Sequence, residues 1–360
     1  MSLAQRLQQQ IKRDGPISVA SYMNLCLLDP KDGYYPTRDP IGAGADFITA
    51  PEVSQIFGEL IGVWVANGWA EMGQPATLHL AEPGPGKGTM MSDILRAARA
   101  SPALSRALQI HLIEASAALV AVQAKTLQAF APPLRWADDL GDTGLGPLIL
   151  VANEFLDCLP VRQFVSRQGQ WFERYVACNE LQNFQYVLGQ TPLAELDLAS
   201  IPPNLREASD NALVEIRPAV QGLLDVLSER SQRDPVLALF IDYGPAISEP
   251  GDTLQAISAH QKVDPLQRPG QVDLTSRVDF AELARAAKAR GLAVAGPVTQ
   301  AEWLQNMGLM QRAADLCTRH PDQRAKIARQ IHRLSDPDEM GTLFKFMAIY
   351  SDTLPKPAGF

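Results

Sequence analysis

The spacing of apolar positions changes along the chain and marks out its elements. Leu3, Leu7 and Ile11 recur at helical spacing before Asp14, which predicts a short amphipathic helix. A turn-rich stretch, Asp29-Pro30-Lys31-Asp32-Gly33-Tyr34-Tyr35, follows. Thr49-Ala50-Pro51-Glu52 has the form of a capping box. Behind it Val53, Ile56, Phe57, Leu60 and Trp64 fall on one face, as expected of a helix that packs on a sheet. From residue 77 the pattern alternates. Short apolar runs at 77–81, 110–113, 134–137 and 148–152 read as strands, and Met91, Ile94, Leu95 and Ala98, then residues 117–130, read as helices between them. Strands recurring with intervening helices predict a parallel sheet with right-handed crossovers. A fifth strand, 236–241, arrives only after a long gap, and 292–295 and 343–350 complete the sheet. The gap reads as an insertion: a hairpin turning at Gly169 within 163–176, a strand at 183–188 and a helix over 211–230. Residues 281–289 form an amphipathic surface helix in this reading.

Composition narrows the class. The 360 residues carry 32 Lys+Arg against 40 Asp+Glu, a formal charge of −8, with 46% apolar and 20% charged residues. That is ordinary globular material, and its acidic balance argues against a nucleic-acid partner, which would call for a basic face. The expected division is a helical extension (1–75), a core made of 76–162 and 235–360, and an inserted subdomain (163–234). Four cysteines stand far apart with no C-x-x-C, which points to neither a zinc cluster nor a disulfide framework. No run approaches the roughly 18–20 apolar residues of a membrane span, and the first residues lack the apolar core of a secretory signal. A cytoplasmic protein with no membrane insertion is the expectation.

The densest chemistry lies in Leu78-His79-Leu80-Ala81-Glu82-Pro83-Gly84-Pro85-Gly86-Lys87-Gly88-Thr89. Glycines on a strand-to-helix turn let backbone approach a ligand at the carboxyl edge, where open α/β sheets bind. A nucleoside triphosphate loop fails here, because Gly88 replaces the magnesium-binding Ser/Thr and Ala81 the first glycine. A dinucleotide fingerprint fits Gly84 and Gly86 but meets Thr89 at its third position, so it is weakened rather than excluded. S-adenosylmethionine, with a sulfonium, an ammonium and no phosphate, suits Glu82, which would repel a pyrophosphate. Glu114, closing the second strand, can accept both ribose hydroxyls, or can serve as an acid at a helix start. Asp138 or Asp139 could accept from an adenine amino group.

The fourth strand runs into Asn153-Glu154-Phe155-Leu156-Asp157. An apolar strand that ends in an amide and two acids brings polar groups to the same edge. Asn153 can position an amine, and Glu154 and Asp157 suit a cationic acceptor such as a guanidinium, whose donors pair with carboxylates bidentately. The plainer alternative pairs Asp157 with Arg162 and makes Glu154 a helix-start acid.

These blocks resemble one family, the MidA-like proteins. The resemblance runs through Gly33-Tyr34-Tyr35, Asp46-Phe47-Ile48-Thr49-Ala50-Pro51-Glu52, the glycine turn, Asn153-Glu154-Phe155-Leu156-Asp157, Ile241-Asp242-Tyr243-Gly244, Pro269-Gly270-Gln271-Val272-Asp273-Leu274-Thr275 and Phe344-Lys345. It implies an α/β, class I methyltransferase fold: a Rossmann-like, mostly parallel, seven-stranded sheet that uses S-adenosyl-L-methionine. It also implies arginine methylation of a protein substrate, a core subunit of respiratory complex I, during assembly. Carried across by motif, Glu82, Gly84, Gly86 and Gly88 meet the methionine and ribose part of the cofactor and Glu114 the ribose. Asn153, Glu154 and Asp157 face the acceptor, and no metal takes part. Ala45 and Arg277 depart from the family pattern, which shows glycine before Asp46 and histidine at the second place; His260 is the remaining candidate for a histidine base. Two other readings stay open. One is an assembly chaperone docking through Trp171, Phe172 and Phe184, aromatics that otherwise cap a small satellite core; the other is a methyltransferase for a small cationic acceptor.

Overall fold

The computed structural model describes residues 1–37, 49–130, 133–258 and 261–360. Seven strands build its main sheet: β1 (Leu78–Pro83), β2 (Leu108–Ile113), β3 (Leu134–Ala137), β4 (Leu148–Asn153), β5 (Val236–Tyr243), β6 (Leu292–Thr299) and β7 (Phe344–Ser351). Their spatial order is β3-β2-β1-β4-β5-β7-β6. Strands β1 to β5 pair in parallel, and β7 runs antiparallel between β5 and β6. This is the mostly parallel α/β sheet expected from the alternation of apolar runs.

Both faces of the sheet are covered, so its strands are apolar throughout and alternate residues enter different cores. Leu80, Ile149, Val151, Leu237 and Leu239 belong to one core with the helix Gln55–Glu71, the helix Thr89–Ala98 and the helices between residues 300 and 335. Ala81, Leu150, Ala152, Ala238 and Phe240 face a second core with the helices Pro218–Ser231 and Phe280–Lys288. The helix Pro218–Ser231, placed in the insertion on sequence, thus packs on the main sheet. The helix expected over 211–230 is in fact a strand, Leu213–Ile216, followed by that helix. Pro218, at the first helical turn, separates the two, since it cannot donate to a preceding ladder but suits a helix start.

A five-stranded antiparallel sheet holds Ile17–Ser18, Gln170–Cys178, Arg162–Arg167 and Leu213–Ile216 in order, with Phe184–Leu188 added to the long strand. The Leu3–Asp14 and Val19–Leu28 helices pack on this sheet side through Leu7, Tyr22, Met23 and Leu27, with Val161 and Val176. Residues 1–75 therefore do not pack as one extension: their first part joins the inserted sheet and Gln55–Glu71 joins the main one. Trp171 is buried with Phe164, Ile201, Leu205 and Val214 in a small core of its own, and is not an exposed docking aromatic.

No capping box forms at Thr49. Its side chain makes no cap bond, and the Glu52 carboxylate instead accepts from the Thr89 hydroxyl at 2.6 Å. The helix breaks at Ser54, whose side chain caps Gln55–Glu71. That long helix crosses Thr89–Ala98 so closely that a Cβ on Gly62 would lie 2.7 Å from the Ala97 Cβ and 2.9 Å from the Ile94 carbonyl. Alanine gains about 1 kcal/mol of helix propensity over glycine. Overpacking against backbone costs about 1–3 kcal/mol. The clash wins, so Gly62→Ala is expected to lower the urea midpoint and the melting temperature by a few degrees, measured against wild type by circular dichroism.

Candidate active site

The parallel strands end along one edge. Pro83 stands opposite Ile113, Ile113 opposite Ala137, and Asn153 opposite Ile241. The turn after β1 needs its glycines: Gly84, Gly86 and Gly88 have φ of +61°, +53° and +77°, which side chains other than glycine rarely tolerate. Gly84 N–H donates to the Ile113 carbonyl at 3.0 Å, and Gly88 begins the helix Thr89–Ala98. A Cβ on Gly84 would meet the Phe155 ring at 3.3 Å, so the glycine turn and the turn after β4 lie against each other.

Glu82 is buried at 2% exposure, and its Oε2 has no hydrogen-bond partner. Burial alone pushes its carboxyl well above the usual range. An orphaned buried oxygen of this kind fits a cationic or hydroxyl-bearing ligand that restores the missing bond. Glu114 sits half-buried at the end of β2, where burial raises its carboxyl. Its Oε1 accepts from Ser116 N–H at 2.8 Å and its Oε2 from the Gln123 amide at 3.0 Å. Gln123 is fully buried and makes three links: it donates to the Gly86 carbonyl at 2.8 Å and to Glu114, and accepts from the Trp136 indole at 2.8 Å. One amide thus ties the turn after β1 to the ends of β2 and β3. Its signal in the sequence is a polar residue one turn from Leu119 and Leu127 on an otherwise buried stripe. Asp138 is exposed beyond β3, whereas Asp139 is occupied as the cap of Leu140–Thr143.

Glu154 adopts φ +48° immediately after β4, in a turn rather than at a helix start. Its backbone N–H donates to the Ile241 carbonyl at 2.8 Å. Its Oε1 accepts from Ala50 N–H at 3.4 Å and from the Asn153 amide at 3.3 Å, which leaves the Asn153 carbonyl oxygen buried without a partner. Burial, then the neighbouring Asp157, pushes the Glu154 carboxyl up to about 7. Glu154 is half-buried; Asp157 is buried and raised to about 6, with Arg217 acting against that rise. The plainer pairing of Asp157 with Arg162 does not form: Arg162 binds Glu173 at 2.7 Å and Asp197 at 2.6 Å. Cys158 donates its thiol to the Phe155 carbonyl and is raised far from reactivity by burial. Tyr243 donates to the Thr275 hydroxyl at 2.8 Å, and Arg277 pairs with Glu249 at the surface. His260, Gly44 and Ala45 lie outside the described residues. A cavity of about 790 Å³ opens between the Leu3–Asp14 helix and the 264–271 loop, and Glu82, Glu114, Glu154 and Asp157 do not line it.

Residues 60–298 match the sequence model of the family described as "Putative S-adenosyl-L-methionine-dependent methyltransferase". The chain belongs to this family. S-adenosyl-L-methionine is its cofactor. A Drosophila melanogaster protein named protein arginine methyltransferase NDUFAF7 homolog, mitochondrial, is 35% identical over 98% of this chain and 86% of its own length. The Homo sapiens protein arginine methyltransferase NDUFAF7, mitochondrial, is 34% identical over 96% of this chain and 83% of its own. A solved structure from Burkholderia thailandensis, bound to S-adenosyl-homocysteine, superposes with a TM-score of 0.85 at 28% identity and covers 99% of this chain and 93% of that one. The named relatives are mitochondrial, not cytoplasmic as expected from the sequence of this chain. Among the described residues no helix is long and apolar enough to cross a membrane.

Gln123→Leu would leave the Gly86 carbonyl and the Trp136 N–H unpaired in the interior, a cost of about 1–3 kcal/mol per group. The expected result is a lower melting temperature together with S-adenosylhomocysteine affinity weakened about tenfold or more, as read by calorimetry.

Proposed function

We propose that this methyltransferase acts on an arginine of a protein, with the glycine turn holding the cofactor and the turn after β4 holding the acceptor. Glu82 and the backbone at Gly84, Gly86 and Gly88 would bind the methionine and ribose part, Glu114 the ribose hydroxyls and Asp138 the adenine amino group. The unpartnered Glu82 oxygen supports this assignment. Bound S-adenosylmethionine supplies a methyl group carried on a sulfonium, electrophilic enough to need neither a metal nor a covalent enzyme intermediate.

The observation that carries the acceptor reading is the pair Glu154 and Asp157: two acids withdrawn from water at one edge, each raised by burial and, among the described residues, neither in a direct ion pair. Such a pair is costly until a cation arrives, and a guanidinium offers donors for both. Stripping a proton from free guanidinium at pH 7 costs roughly 8 kcal/mol, so prior deprotonation is not the route. Glu154 and Asp157 would instead orient one nitrogen and accept its proton as transfer proceeds, and Asn153 would direct its free carbonyl oxygen to an amine of acceptor or cofactor. The names of the mitochondrial relatives support a protein arginine as acceptor. A respiratory complex I-type subunit, modified during assembly, is the partner we assign. The buried position of Trp171 removes the main support for a purely chaperone-like docking role.

Glu154→Gln keeps shape and removes charge. S-adenosylhomocysteine affinity should stay within about threefold and methyl transfer should fall about 100-fold or more, as expected when a proton acceptor is lost. Full activity would exclude Glu154 from the chemistry. Mass spectrometry of complex I from cells lacking the gene should show one arginine unmethylated; unchanged methylation would exclude that partner.

Because the carboxylates must be ionised to accept a proton, and their folded-state values lie at about 6 and about 7, transfer should rise with pH through this window. The stability of the unliganded protein has the opposite slope. A carboxyl raised by folding binds its proton more tightly in the native state, so the contribution of these two groups is fully present below their unfolded values of about 4 and is lost as pH rises through about 6 to 7. Paired rate and melting profiles from pH 5 to 8 check both signs.

A further inference from the structure

The peptide unit that joins Leu156 to Asp157 is gripped at both ends by buried charged side chains. Its carbonyl accepts from Arg217 Nε at 2.9 Å, and its N–H donates to Asp242 Oδ2 at 3.1 Å. The same Asp242 oxygen accepts from Leu156 N–H at 3.0 Å, and its other oxygen accepts from Tyr243 N–H at 2.9 Å. Arg217 reaches on to the Ser276 carbonyl at 2.6 Å and hydroxyl at 2.7 Å, while Ser276 N–H donates to the Asp157 carbonyl at 2.9 Å. Asp242 is fully buried and Arg217 is 8% exposed. We infer that Asp242 and Arg217 form a two-sided clamp whose task is to position Asp157 for the acceptor.

Three features favour this over a general structural role. First, the clamp acts on backbone, so it sets the direction in which the Asp157 side chain leaves the turn whatever that side chain bonds to. Second, each half comes from a different element: Asp242 from β5, Arg217 from the residue before the helix Pro218–Ser231. Third, Arg217 sits near enough to oppose the rise of the Asp157 carboxyl without forming an ion pair that would occupy it. The other titratable groups around Asp157 are Glu154 and Cys158 on its own turn, Tyr243 on β5, Tyr35 from the N-terminal segment and Asp273, to which Tyr35 donates at 3.0 Å. Arg217 is the one cation whose charge lowers the Asp157 value among the described residues. The inference rests on the reading that Asp157 faces the acceptor, and its test separates the two.

The carboxyl carbon of Asp157, labelled with carbon-13 and assigned through Asp157→Asn, is titrated by NMR in the full chain with S-adenosylhomocysteine bound. Methyl transfer is read with tritium-labelled S-adenosylmethionine and the extract of cells lacking this gene, counted as methylarginine after hydrolysis. Arg217→Met should raise the Asp157 midpoint by about one unit or more, the direction expected when a nearby cation is lost. It should also cut transfer about tenfold or more while cofactor affinity stays within about twofold, the pattern of a lost transition-state interaction. Because Arg217→Met risks loosening the turn, Arg217→Lys is the second variant: the charge stays and the fork is lost, so the midpoint should remain close to wild type while transfer still falls. Asp242→Asn, which cannot accept at both oxygens, should lower transfer likewise. Wild-type transfer in Arg217→Lys and Asp242→Asn overturns the clamp, as does an unmoved Asp157 midpoint in folded Arg217→Met. If the wild-type protein forms no methylarginine, the acceptor assignment falls, and the titration alone decides the clamp.

Discussion

Keeping carboxyl groups at the carboxyl edge of a sheet, withdrawn from water and, among the described residues, outside any direct ion pair, is the constraint from which the rest of this site follows. Glu82, Glu154, Asp157 and Asp242 are all raised by desolvation. Burying a charge is costly unless it is paired, and for two of these acids the structure meets that cost with fixed dipoles: the Ala50 N–H points at Glu154, and the N–H groups of Leu156, Asp157 and Tyr243 at Asp242. At this edge one Glu82 oxygen and the Asn153 carbonyl oxygen stay buried without a hydrogen-bond partner.

That arrangement draws on distant parts of the chain. Ala50 comes from the segment before the sheet, and the Glu52–Thr89 bond ties this segment to the helix that follows the glycine turn. Gln330 holds the same segment from behind through the Val53 carbonyl, at 2.6 Å. The inserted sheet contributes through its last strand, because Leu213–Ile216 leads directly into Arg217. The small antiparallel body and the large parallel one therefore meet at the turn after β4.

The parallel sheet was readable because its strands are apolar runs separated by amphipathic stripes, and the glycine turn because three positive-φ glycines cannot easily be replaced. The residues at the ends of β1, β2 and β4 followed from the strand boundaries. Other parts were hidden for physical reasons. The Thr49 box matches on residue type, yet Glu52 finds a better acceptor role with Thr89, which is remote in sequence. The strand Leu213–Ile216 is too short to separate from a helical pattern before its antiparallel partner is known. Gln123, Arg217 and Asp242 act through contacts tens of residues away, with |i−j| of 37, 61 and 86 for their bonds to Gly86, Leu156 and Leu156, and no local spacing encodes those.

The position of β7 has a consequence for synthesis. Of the seven strands of this sheet it comes last in the chain, yet it lies inside the sheet, antiparallel between β5 and β6. Until it emerges from the ribosome, β5 and β6 each carry an unpaired backbone edge, and the apolar face of Gln55–Glu71 waits on an incomplete platform. The sheet therefore closes only once β7 is available, and until then the facing edges of β5 and β6 are open to pairing with other chains.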